Sequence, residues 1–222
     1  MIRAVIFDFD GLLVDSETLF HRVYAEILAD YGHAFTRDDY STGYAGRPVP
    51  AIARAFVADF GLPVSSEEVA RRIHADEAVL RAEGVPLKPG ARELLEHLKT
   101  HGYGIAVASS SLRSRAMSIL EQHGLAGFFA ASAFAEDISR GKPDPEVFLL
   151  AASRLGIDPS ECLVLEDSTM GIEAAVKAGM RVICIPDMQA PDEEHRAMAT
   201  AVADGLNDVI GFLFGPEGAD RA

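Results

Sequence analysis

Short apolar runs alternate with amphipathic stretches along most of this chain. Residues 4–7, 104–108, 162–165 and 182–185 are apolar and rich in β-branched side chains, which predicts strands; residues 129–134 and 201–203 are weaker candidates. Between them, apolar positions recur at helical spacing over residues 91–100, 112–123, 145–155 and 171–178. Strand and helix in regular succession predict βαβ units, and hence a parallel sheet with helices on both faces. The runs AVIF (4–7) and CLVL (162–165) do not alternate with polar residues, as expected of strands covered on both sides. The expected fold class is therefore α/β, with a doubly wound, Rossmann-like parallel sheet.

The alternation breaks once. After Phe7 the next convincing strand waits until Ile105, and the piece between reads as helices only, at residues 19–31, 51–60 and 67–81. Ser65, with Glu68 three residues on, has the spacing of a capping box before the last of these. A helical block set after the first strand predicts a second small domain, residues 16–87, inserted into a core made of 1–15 and 88–222. Residues 84–89 (GVPLKP) supply the return linker. The chain has no internal repeat or low-complexity tract, and the acidic tail after Gly215 is expected to fray.

Composition narrows the function. The 222 residues are 49% hydrophobic and 24% charged, which excludes general disorder and permits a sizeable core. Twenty Lys and Arg stand against 34 Asp and Glu, a formal charge of −14 that argues against nucleic acid or an anionic membrane as partner. Cys162 and Cys184 lie in apolar runs and read as buried reduced thiols, not as a disulfide framework. The N-terminal apolar stretch is too short for a signal segment, and no run approaches the roughly 18 apolar residues of a membrane span. A cytoplasmic protein is expected.

In an open parallel sheet, ligands bind beyond the carboxyl ends of the strands. The first strand runs into Asp8-Phe9-Asp10-Gly11, the second into Ser109-Ser110-Ser111, and the fourth into Glu166-Asp167-Ser168, while Lys142 sits in a Gly-Lys-Pro-Asp-Pro turn. Each piece alone is an ordinary turn or helix entry; together they would place four carboxylates, a hydroxyl cluster and an ammonium on one rim. Crowded carboxylates call for a cation, and an all-oxygen ligand set suits Mg²⁺. A carboxylate beside that ion can attack phosphorus, and a neighbouring carboxyl can protonate the leaving oxygen and later deprotonate water. Ser109, turn N–H groups and Lys142 would neutralise the transferring phosphoryl group.

The segments DFDGLLVDSE (8–17), VASSS (107–111), GKPDPEVF (141–148) and VLEDSTMGIEAAVKAGM (164–180) resemble the four motifs of the haloacid dehalogenase superfamily. The inserted helices resemble the C1-type cap of the subgroup containing β-phosphoglucomutase and sugar-phosphate phosphatases. The resemblance implies a Mg²⁺-dependent phosphatase acting on a small phosphorylated metabolite, such as a sugar phosphate, through an aspartyl-phosphate. By the same matching, Asp8 is the nucleophile, Asp10 the general acid/base, Ser109 the phosphate-binding hydroxyl and Lys142 the motif lysine. The implied metal set is Asp8, Asp10 through its backbone carbonyl, and Asp167, with Glu166 beside it. Ser110 and the cap residue Arg47 are substrate candidates, and a monomer is implied. The acid at position 10 favours phosphoryl chemistry over dehalogenation, because an alkoxide needs a proton that halide does not. The mutase's cap histidine aligns with Phe20, with His21 rotated roughly 100° further around the helix, so phosphatase is preferred over mutase.

Overall fold

The computed structural model describes residues 1–215, in two compact units: Met1–Val14 with the chain from Leu87 onward, and Asp15–Pro86. The first unit holds a six-stranded sheet of β1 (Ala4–Phe7), β2 (Gly104–Ala108), β3 (Ala131–Ala133), β4 (Cys162–Glu166), β5 (Arg181–Cys184) and β6 (Ala201–Val202). Every pairing is parallel and the order is β3-β2-β1-β4-β5-β6. The chain thus builds outward from β1 on one side and then returns to build outward on the other. That reversal opens a crevice at the carboxyl ends of β1 and its neighbours.

The second unit is helical: α1 (Ser16–Ala29), α2 (Arg37–Gly43), α3 (Val49–Phe60) and α4 (Ser66–Glu83). Asp15 caps α1 by accepting from Thr18 N at 3.3 Å, and Ser65 caps α4 by accepting from Glu68 N at 3.2 Å. Its interior is aromatic, with Phe56 meeting Tyr24 and Phe35 edge-on at centroid distances of 5.3 and 5.7 Å. Helix α2 was absent from the predicted pattern. Its sequence, RDDYSTG, buries only Tyr40 and so has no apolar period; a reciprocal cap between Thr36 and Asp39 holds it instead.

In the first unit, α5 (Ala91–Thr100), α6 (Arg113–Gln122), α7 (Glu146–Leu155), α8 (Thr169–Lys177), α9 (Glu193–Met198) and α10 (Leu206–Phe214) surround the sheet. Strand alternation sorts the core: Ala4, Ile6 and Val164 join Val147, Phe148 and Ile172 in one cluster under α7 and α8. Helix α5 contributes buried Leu94, Leu95 and Leu98 and packs on α10, which buries Leu206, Val209 and Leu213. Helices α9 and α10 were not in the predicted pattern. Both cysteines are free and buried, and burial pushes their thiols up to about 11 at Cys162 and about 12 at Cys184, so neither is poised to react. Among the described residues no helix is long and apolar enough to cross a membrane. The tail after Gly215 lies outside the described residues.

A charged clamp braces the loops at the carboxyl end of β3. Asp137 accepts from Arg154 at 2.9 and 3.1 Å, from Arg113 at 2.6 Å and from Phe134 N at 2.9 Å. Its partners, Arg154 first, hold its carboxyl down at about 2. Next to it, Ala135 N donates to Ser111 O at 3.2 Å, so the clamp supports the serine loop that follows β2. A carboxyl held below its ordinary value stabilises the fold above about pH 4 and loses that contribution as pH falls toward 2. Asp137→Asn should therefore cost about 1 kcal/mol at pH 7, where two half-exposed arginines share the partner. Denaturant unfolding at pH 7 and pH 3 checks this: the gap between variant and parent should narrow at the lower pH.

Candidate active site

Strand β1 ends where its backbone is still clamped by the sheet, with Asp8 N donating to Leu165 O at 2.9 Å. Asp8 is therefore delivered at the crevice with little freedom. Phe9 is fully buried beneath it. Gly11 then turns the chain with φ +77°, a left-handed conformation that glycine adopts without strain. A Cβ there would also lie 2.3 Å from Asp167 Oδ2, so glycine keeps the cradle open.

Lys142 enters from the turn before α7 and joins two sheet positions. Its ammonium donates to Asp8 Oδ1, and to Glu166 Oε1 at 2.5 Å. The Lys142 side chain is 8% exposed and that of Glu166 0%, so this is a buried charged group and not a surface pair. Burial alone would depress the lysine, but the Asp8 and Glu166 carboxylates outweigh it and hold the ammonium well above its usual range. Asp8 is pushed up to about 7, first by burial and then by Glu166, with Lys142 opposing. The ammonium also lies 4.8 Å from the Phe148 ring centroid, which fixes its direction of approach.

Carboxylate oxygens of Asp8, Glu166 and Asp167 lie within 4.8 Å of one another, close enough to share one cation. Oxygen donors of this kind fit a hard divalent ion. The three are not equivalent. Glu166 already uses Oε1 on Lys142 and accepts at Oε2 from Ser168 N at 2.8 Å and Ser168 Oγ at 2.9 Å. Both oxygens of Glu166 are thus engaged, one by the lysine and one by the entry to α8.

Of the other predicted positions, Ser109 is buried after β2, with its Oγ accepting from Ser111 N at 2.9 Å. Asp10 lies on the same edge, and its carboxylate is held by Ser111 of the predicted hydroxyl cluster and by Arg115, which the sequence did not single out. Arg115 donates to Asp10 Oδ1 at 2.7 Å, and Ser111 Oγ to Asp10 Oδ2 at 2.5 Å. Ser110 is exposed. Arg47 belongs to the helical unit, where it is exposed, donates to Gly43 O at 2.8 Å and lies 5.8 Å from the Tyr44 ring centroid. Asp187, after β5, bonds Lys88 at 2.5 Å and lies 3.4 Å from where a Gly11 Cβ would stand, a further acid on this edge. His97 on α5 and His101, which ends that helix, stack with each other, and His101 packs on Phe214 at 4.3 Å.

A buried carboxylate steadied by an ammonium, next to a second carboxylate and an oxygen cradle, suits hydrolysis through a covalent step. The chain belongs to the haloacid dehalogenase-like hydrolases, whose family model matches residues 2–179. It is 33% identical over 182 residues to the "Phosphorylated carbohydrates phosphatase" of Thermotoga maritima, covering 82% of this chain and 84% of that one. It is likewise 33% identical over 210 residues to "Hexitol phosphatase B" of Escherichia coli (strain K12), covering 94% of each. Among solved structures, a putative β-phosphoglucomutase from Thermotoga maritima superposes with a TM-score of 0.79 at 30% identity, covering 94% of this chain and 98% of that one.

The glycine at position 171 gives the site a testable dependence on packing. A Cβ there would meet the Glu166 carboxyl at 1.8 Å, whereas one at Gly127 would meet nothing within 4 Å. Gly171→Ala should cost about 1–3 kcal/mol, and Gly127→Ala should stay within about 0.5 kcal/mol, both read from denaturant midpoints. Equal effects would mean that Glu166 is not packed as described.

Proposed function

We propose that this chain is a Mg²⁺-dependent phosphatase that hydrolyses a small phosphorylated metabolite, a sugar phosphate or similar, through an aspartyl-phosphate on Asp8. The observation that carries the reading is the pair of acids with different surroundings: Asp8 buried on Lys142, and Asp10 held two residues away by polar donors. Two carboxylates with distinct environments are what a nucleophile and a separate proton carrier require. The names of the two phosphatase relatives support a phosphorylated carbohydrate as substrate class.

In the first half of the reaction an Asp8 oxygen attacks phosphorus, the bond from phosphorus to the ester oxygen breaks, and Asp10 passes its proton to that oxygen. In the second, water attacks the same phosphorus, its proton goes to Asp10, and the bond to Asp8 breaks to release inorganic phosphate. Lys142 keeps Asp8 aligned and offsets charge on the phosphoryl oxygens, and the Ser109 hydroxyl faces the same group. A divalent ion bound by Asp8, Asp167 and the Asp10 carbonyl would supply further charge stabilisation and screen the carboxylates from one another. The reading extends to a monomer in the cytoplasm, and the −14 formal charge supports a small metabolite over nucleic acid as partner.

A panel of phosphorylated metabolites, assayed for phosphate release with and without Mg²⁺, tests this. Release should require the metal and fall by at least about 10³-fold in Asp8→Asn, a loss of the size seen when a covalent nucleophile is removed. Phosphorus NMR of the products separates hydrolysis from the mutase reading that the β-phosphoglucomutase-like structure raises. Phosphate migration without release would favour the mutase.

A further inference from the structure

We propose that Arg115 is a positioning residue for Asp10: together with Ser111 it holds both oxygens of that carboxylate in the one orientation from which a proton can be exchanged with the reacting oxygen. This deepens the reading of Asp10 as acid and base and rests on it.

The geometry is a closed ring of three side chains. Arg115 Nη1 donates to Asp10 Oδ1 at 2.7 Å and to Ser111 Oγ at 2.9 Å, while Ser111 Oγ donates to Asp10 Oδ2 at 2.5 Å. Ser111 lies just before α6 and Arg115 in its first turn, and the entry into the helix brings both to the same carboxylate. The Arg115 side chain is 14% exposed and that of Asp10 25%, so this pair is far drier than a surface ion pair. A guanidinium stays charged under all working conditions and holds a fixed donor geometry, which suits it to locking a carboxylate rotamer.

The hold has a reason. Asp10 lies beyond the end of β1, past Phe7, in a turn closed by local backbone bonds such as Gly11 N to Val14 O and Leu13 N to Phe9 O, each at 3.0 Å. The sheet that fixes Asp8 does not fix the Asp10 side chain, and misplacement by about 1 Å costs on the order of 10²-fold in rate. Helix α6, braced by the Asp137 clamp through Arg113, provides the rigid support from which Arg115 reaches back.

The test uses the full-length protein and the phosphate-release assay with Mg²⁺. Arg115→Met should lower kcat about 10- to 100-fold with KM within about 3-fold, and Arg115→Lys, which keeps one cationic donor, should recover part of the loss. In an Asp10→Ala background, Arg115→Met should add less than about 2-fold, since a residue acting through Asp10 has nothing left to position. A raised KM at unchanged kcat, full additivity with Asp10→Ala, or unaltered kinetics would each overturn the proposal. A crystal structure of Arg115→Met reads the same claim without turnover. An Asp10 side chain displaced from its parental rotamer supports it, and one left in place overturns it. Should Asp8→Asn keep full activity, the aspartyl-phosphate on Asp8 falls, while the crystallographic result still decides whether Arg115 positions Asp10.

Discussion

The buried ammonium of Lys142, shared between Asp8 and Glu166, is the contact on which the rest of the site depends. Taking charges out of water is costly, and removing one partner from such a group costs about 3–5 kcal/mol. The arrangement is therefore expensive unless it serves more than folding. Here it does: the lysine ties the turn before α7 to the ends of β1 and β4, and in doing so fixes the Asp8 carboxylate, the nucleophile of the proposed function. Glu166, fully buried and bonded at both oxygens, serves the lysine in turn.

The charge count then explains why a cation belongs at this edge. Asp8, Glu166 and Asp167 against Lys142 leave a formal charge of −2 when all are ionised. That excess opposes an anionic substrate, and the whole-chain charge of −14 opposes it further. A divalent ion among hard oxygen donors would cancel the local excess and let a phosphate approach. The topology makes this possible with few residues, because the strand order reverses at β1 and brings three strand ends to one crevice. Asp8 is distant in the chain from Glu166 and Asp167, which are neighbours of each other.

Much of this was legible from the residues, and the gaps have physical causes. The four central strands stand out because each is a short apolar run with no polar alternation, and the site acids follow directly from where those runs stop. The helices with an apolar face were equally plain. Helix α2 was not, because it is held by a cap and a single buried tyrosine. Helix α10 was missed for the opposite reason: LNDVIGFLF is so apolar over its second half that no polar face marks a period. Ser111 was placed on the rim with its neighbours but given no partner, because serine after a strand reads as a helix entry, and Arg115 was passed over because an arginine on a polar helix reads as solvated. Only the fold shows that both reach Asp10. The bonds that engage both oxygens of Glu166 were likewise invisible in the sequence.

The central claim is that the first acid after β1 carries the phosphoryl group in transit. Rapid acid quenching during turnover, followed by digestion and mass spectrometry of the peptides, tests it most directly. The account predicts a phosphorylated peptide containing residue 8, labile to mild base and absent from Asp8→Asn. A phosphoryl group on any other residue, or sustained phosphate release with no phosphorylated peptide trapped at the earliest quench times, would contradict it.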